Sequence, residues 1–219
     1  MPTQRDNHRI LRWREMWSGL GVSAPDQIRA DLIARYSEPH RSYHTLQHLD
    51  ECFAKLQELR ALAVFPEEIE LALWFHDATY DVKRQDNEER SADWARAVVL
   101  AAGLSTTVAA RLYGLVMATR HDAVPDDIDQ QILVDVDLAI LGAESSRFDE
   151  YERQIRTEYS DVGVVEFRRA RGRVLTEFLD RPTIFNTERF KAAYEARARL
   201  NLARSIKALA ADLPGAGPQ

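Results

Sequence analysis

Apolar residues recur along this chain with the spacing of helices, and nowhere with the sustained alternation of strands. From Asn7 to Leu20 they fall at Ile10, Leu11, Trp13, Trp17 and Leu20, and the two tryptophans stand one helical turn apart. Pro25 opens a short helix through Tyr36, and SEPHRSYHTLQH is a loop that turns into a helix. Leu46, Leu49, Phe53, Leu56 and Leu59 then predict a helix from about His44 to Leu62. Pro66 starts the next, which the pattern carries to about Tyr80. After the polar stretch DVKRQDNEE come a helix through Leu100, a break at Gly103 and a helix capped by Ser105 that reaches about Thr119. The segment from Ile128 to Leu141 stops at Gly142, and helices over Ser146 to Tyr159, Val162 to Leu179 and Thr187 to Leu213 close the chain. ARAVVLAAG and QQILVDVDLAIL resemble strands in isolation, but their length and neighbours are helical. The expected fold is all-α, a compact multi-helix bundle forming one domain over residues 1–213, with a frayed tail at 214–219.

Composition narrows the function classes. Of 219 residues, 45% are hydrophobic and 29% charged, the balance of an ordinary globular chain with a sizeable core. A net charge of -6 argues against an open nucleic-acid surface, although a metal and a few arginines can still make one pocket positive. The single cysteine, Cys52, excludes an intrachain disulfide and sits among Leu49, Phe53 and Leu56 as core packing. MPTQRDNHRI has no apolar core of a signal peptide, and no apolar run approaches the roughly 18 residues of a membrane span, so a cytoplasmic protein is expected. RRARGR at 168–173 lies in a regular helix without interleaved aromatics and reads as a solvated or salt-bridged face.

Candidate chemistry lies in the histidines and aspartates. In WFHDATYD, His76 lines up with Ile69, Ala72, Leu73 and Tyr80, and Asp77 sits about 100° further round a helix. An adjacent imidazole and carboxylate at a buried face want a partner, which a divalent ion supplies; a packed histidine beside a capping aspartate is the plainer reading. His44 and His48 are four apart and flank the Leu49, Cys52, Leu56 stripe. In DVDL, Asp137 borders the apolar side set by Ile132, Leu133, Val136 and Ile140, whereas Asp135 points away, toward a surface or salt-bridged role. Asp137 is therefore the preferred ligand and Asp135 the fallback.

The order His48, His76 with Asp77, then Asp137 resembles the HD superfamily of metal-dependent phosphohydrolases, and more closely a bacterial branch of predicted HD phosphohydrolases. EPHRSYHTLQHL, LALWFHDATYD, DNEERSA, VMATRHD, ILVDVDLAILG, YERQIRTEY, RGRVLTEFL and ARARLNLARSI carry the likeness over about residues 38 to 206. It implies an HD-like core at about 38–142 with the C-terminal helices packed on it. It also implies a buried ion held by His48, His76, Asp77 and Asp137. Such a donor set accepts manganese, magnesium, cobalt, zinc, nickel or iron. The implied activity is hydrolysis of a small phosphate ester, in particular a nucleotide. The scaffold also carries lyases and di-iron oxygenases, and a non-catalytic nucleotide-binding module is a further reading.

For proton transfer, Asp77 and Glu88 are candidates, Glu88 because it stands at a helix entrance; an acidic first turn stabilised by the helix dipole explains it equally. His44 and Arg41 are placed to meet a phosphate, with Lys83, Arg84 and Arg156 as further cations. His121 is a candidate for a second metal or a phosphate contact, or is a helix-end histidine satisfied by the dipole. Asn201 is polar within an amphipathic helix and reads as a cap or a bridge in a buried network.

Overall fold

The structure, a computed structural model, describes residues 4–211. The expected tail at 214–219 and the last two residues of the final expected helix lie outside the described residues. Ten α-helices and two 3-10 helices make up the regular structure of the described residues, and no strand is among them. The chain divides into two compact units, residues 1–134 and 135–219.

The first unit holds α1 (Gln4–Gly19), α2 (Asp26–Arg35), α3 (Leu46–Leu59), a 3-10 turn (Arg60–Leu62), α4 (Pro66–Phe75), α5 (Asn87–Ala101) and α6 (Thr106–Ala118). The boundary between the units falls inside α7 (Ile128–Leu138). The sequence IELALWF is apolar nearly all round, and α4 is accordingly the buried helix of this unit. Trp74 on α4 meets Trp13 edge-on, with ring centroids 5.1 Å apart, and Trp13 meets Trp17 at 5.5 Å. All three rings are fully buried, so the tryptophan pair read from the sequence packs internally. The charged side chains of α4 are paired: Glu68 accepts two bonds from Arg111, and Glu70 meets Arg12 at 2.8 Å and Arg60 at 3.1 Å. The Asp129 carboxylate accepts the amides of Val64 and Phe65, which fixes the entry of α4.

Among the helix ends that differ from the sequence reading, two bear on the candidate site. The first is at α3. Thr45 caps that helix, its hydroxyl accepting the Gln47 amide, so His44 precedes the helix and does not share a face with His48. The second is α4, which stops at Phe75 and does not run to Tyr80. A continuing helix would send the Asp77 amide to the Leu73 carbonyl. Instead that amide donates to the Tyr36 hydroxyl, and the Leu73 carbonyl accepts from the His76 ring at 2.8 Å and from Tyr36 at 3.4 Å. Side chains have taken over the ladder that the apolar periodicity alone would have extended.

The second unit contains a 3-10 turn (Ala139–Gly142), α8 (Ser145–Glu158), α9 (Val164–Leu179) and α10 (Glu188–Ala211). Asn201 donates to the carbonyls of Leu141 and Ala143, a bridge in a buried network as the sequence suggested. Gly142 lies against Tyr194 so closely that an added Cβ would stand 2.7 Å from the Tyr194 Cβ. In the RRARGR run, Arg171 pairs with Glu152 at 2.6 Å, while Arg169 and Arg173 are exposed.

Candidate metal centre

His48 projects from the first turn of α3, and His76 and Asp77 stand where α4 ends. Their donor atoms converge. His48 Nε2 is 3.1 Å from His76 Nε2, and Asp77 Oδ2 is 2.9 Å from His76 Nε2 and 3.5 Å from His48 Nε2. Ligands held about 2.1 Å from one ion stand about 3.0 to 3.4 Å apart, so these three edges have the size of a coordination shell. The imidazoles retain 3% and 1% of their exposure and the Asp77 side chain 19%, so the cluster opens on the carboxylate side.

The proton on His76 can be placed. A carbonyl only accepts, so Nδ1 carries the hydrogen that meets Leu73, and the lone pair of the neutral ring points from Nε2 into the cluster. Burial pushes the Asp77 carboxyl up, but where the imidazoles are protonated the positive charges of His76 and His44 and the hydrogen bonds donated by His48 and His76 outweigh it and hold the group well below the usual carboxylate range. An ionised carboxylate beside an imidazole lone pair is a donor set for a divalent cation.

Cys52 is buried in the core, as its apolar neighbours predict, and its Sγ also lies 3.7 Å from both ring nitrogens of His48. Donor atoms of His48, Cys52 and His76 all fall within 4.8 Å of one another. The signal in the sequence was its spacing, one helical turn after His48. No family model, no curated protein and no solved structure matches the chain.

Around the cluster, His44 stacks on Tyr80 with centroids 4.1 Å apart, and its ring lies 6.0 Å from that of His48. Arg41, expected to be an open cation for phosphate, is fully covered. Its Nε donates to Glu38, Nη1 to the carbonyls of His44 and Asp77, and Nη2 to the carbonyl of Ala78. Tyr36, which the sequence reading passed over, is also buried, and burial pushes its hydroxyl up to about 12. It is therefore a neutral hydrogen-bonding group at any ordinary pH.

Glu88 stands half-buried in the first turn of α5. Burial raises its carboxyl and the neighbouring Asp77 charge adds to this, while Arg120 and His121 pull it back. Its electrostatic environment thus includes Asp77, Arg120 and His121. His121 follows the end of α6 with φ of 58°, a left-handed conformation more often taken by glycine or asparagine. Lys83 and Arg84 lie exposed on the loop after the His-Asp pair, Arg84 bound to Asp86 at 2.6 Å.

The remaining candidates lie on α7 and in the second unit. Arg156 is not an open cation: it donates to the carbonyls of Tyr159 and Val162 and finishes α8. Asp135 is neither a surface residue nor a salt-bridge partner. It is fully buried, and its two oxygens accept four bonds from the amides and side chains of Asn186 and Thr187. Asp137 occupies the last turn of α7, half-buried. No helix among the described residues is long and apolar enough to cross a membrane.

Proposed function

We propose that this chain is a metal-dependent phosphohydrolase of the HD type, acting on a small phosphate ester such as a nucleotide. The observation that carries the reading is the buried triangle of His48 Nε2, His76 Nε2 and Asp77 Oδ2, with edges of 2.9 to 3.5 Å. Asp137 is assigned as the fourth ligand from the order of residues in the sequence. The commitment of Asp135 to Asn186 and Thr187 supports Asp137 over the fallback within DVDL.

A divalent ion held there would polarise a phosphoryl oxygen and make water a stronger acid. The chain supplies the rest. The Asp77 side is the open side of the cluster, from which a substrate approaches. His44, stacked on Tyr80 and half-buried, offers a ring nitrogen to the phosphate. Glu88, whose carboxyl burial raises, is the assigned proton acceptor. His121 is a further phosphate contact, and exposed Lys83 and Arg84 add positive charge at the loop. The assigned setting is the cytoplasm.

The test is a phosphate-release screen over nucleotides and sugar phosphates with Mn²⁺, Co²⁺, Mg²⁺ and Zn²⁺, using Asp77→Asn as control. Release by the wild type that is lost in Asp77→Asn is the expected result. An ion that binds and a nucleotide that binds without any turnover would favour the non-catalytic binding module instead.

A further inference from the structure

Arg41 joins two parts of the site that the sequence keeps 36 residues apart. A buried guanidinium is costly unless its donors are met. Here they are met by Glu38 and by three backbone carbonyls, with distances to His44, Asp77 and Ala78 of 3.3, 2.6 and 3.2 Å. Two of those carbonyls lie just beyond the end of α4, where the helix no longer supplies partners. The third belongs to His44, the residue stacked on Tyr80. The guanidinium also lies 5.4 Å from the ring centroid of Tyr36 and 5.4 Å from that of Tyr80. Tyr36, at the end cap of α2, completes the arrangement, its hydroxyl bridging the Leu73 carbonyl and the Asp77 amide.

We propose that Arg41 and Tyr36 are a positioning pair. They hold the His76–Asp77 turn in register with the His44–Tyr80 pair and thereby set the affinity and geometry of the ion site. The inference rests on the metal-site reading above and extends it to residues that donate nothing to the ion. The fork of arginine is required, because one group must reach carbonyls on consecutive residues and a third on another segment; the single ammonium of lysine cannot span them. The tyrosine hydroxyl is required because it stands where the helix would otherwise place a carbonyl. Losing either lets the Asp77 backbone turn, which swings Oδ2 away from the two imidazoles.

The experiment is a Co²⁺ titration of the full chain, followed by visible absorption, for wild type, Arg41→Lys and Tyr36→Phe, with the thermal midpoint of each metal-free protein recorded alongside. Tyr36→Phe removes one oxygen atom and keeps the ring. Partners that orient ligands typically govern metal affinity by about 10- to 100-fold, and a loss of that size with an altered visible band is expected in both variants. In Tyr36→Phe the metal-free midpoint should move by only a few degrees. Variants that take up cobalt with wild-type affinity and spectrum would overturn the proposal, whatever their midpoints. Wild-type protein that takes up no cobalt would overturn the underlying reading of the site, and the positioning role with it.

Discussion

His48 and His76 aim their Nε2 atoms at each other across 3.1 Å inside the fold. With the His76 proton on Nδ1, the two rings coexist either through a proton on His48 Nε2 or through a shared cation. A shared cation would satisfy both rings and the Asp77 carboxylate at once. Zinc should therefore stabilise the folded chain by mass action, about 2.7 kcal/mol at a free concentration 100 times the dissociation constant. Differential scanning fluorimetry of wild type and His76→Gln checks this. The midpoint should rise with zinc in the first and stay put in the second; an equal rise in both would remove His76 from the ligand set.

Stability should respond to pH in a direction set by buried acids. Glu70, Glu88 and Asp135 are all raised, burial being the largest cause in each. Between the ordinary and the raised values the folded chain binds more protons than the unfolded one, so stability falls as pH rises through that window. Asp77 has the opposite sign. Its contribution is present above the ordinary carboxylate value and is lost as pH falls through its lower folded value. Urea titrations in chelator should show a midpoint that climbs as pH falls from neutral through the raised carboxyls and drops again in stronger acid, where Asp77 is protonated. Glu70→Gln should flatten the climb, and an unchanged profile would count against the assignment.

Asp135 is a strut whose oxygens face only donors. Asp135→Asn keeps the shape but turns an amide NH₂ toward donors of Asn186 or Thr187. Bonds to charged groups contribute about 1.5 to 3 kcal/mol, and chemical denaturation should register a loss of that order. Metal affinity should stay within about twofold of wild type; a large loss would return Asp135 to the ligand set.

His121 sits at a φ of 58°. A left-handed conformation costs a residue with a Cβ about 1 to 2 kcal/mol, and glycine escapes this at an entropic cost of its own. His121→Gly should leave stability unchanged or higher by up to about 1 kcal/mol. If the ring contacts phosphate, KM for the substrate found in the release screen should increase in the same variant. Lower stability with unchanged KM would make His121 a structural helix end.

The apolar spacing alone settled that the chain is helical and nearly where each helix lies, because burial of one face imposes a period that survives in the sequence. It also brought His48, His76 and Asp77 forward, since polar groups beside an apolar stripe stand out. What it could not supply were the places where a distant side chain replaces a local bond. Beyond the stop of α4 at Phe75 the Asp77 amide and carbonyl meet Tyr36 and Arg41, partners that periodicity does not display, so the pattern ran the helix five residues too far. Arg41 looked like an open cation because three of its four partners are backbone carbonyls, which no sequence displays. Asp135 looked exposed because its partners, Asn186 and Thr187, lie 51 and 52 residues away. Periodicity is a local property, written in one helix at a time; the satisfaction of buried polar groups is settled between segments, and only the folded chain brings those segments together.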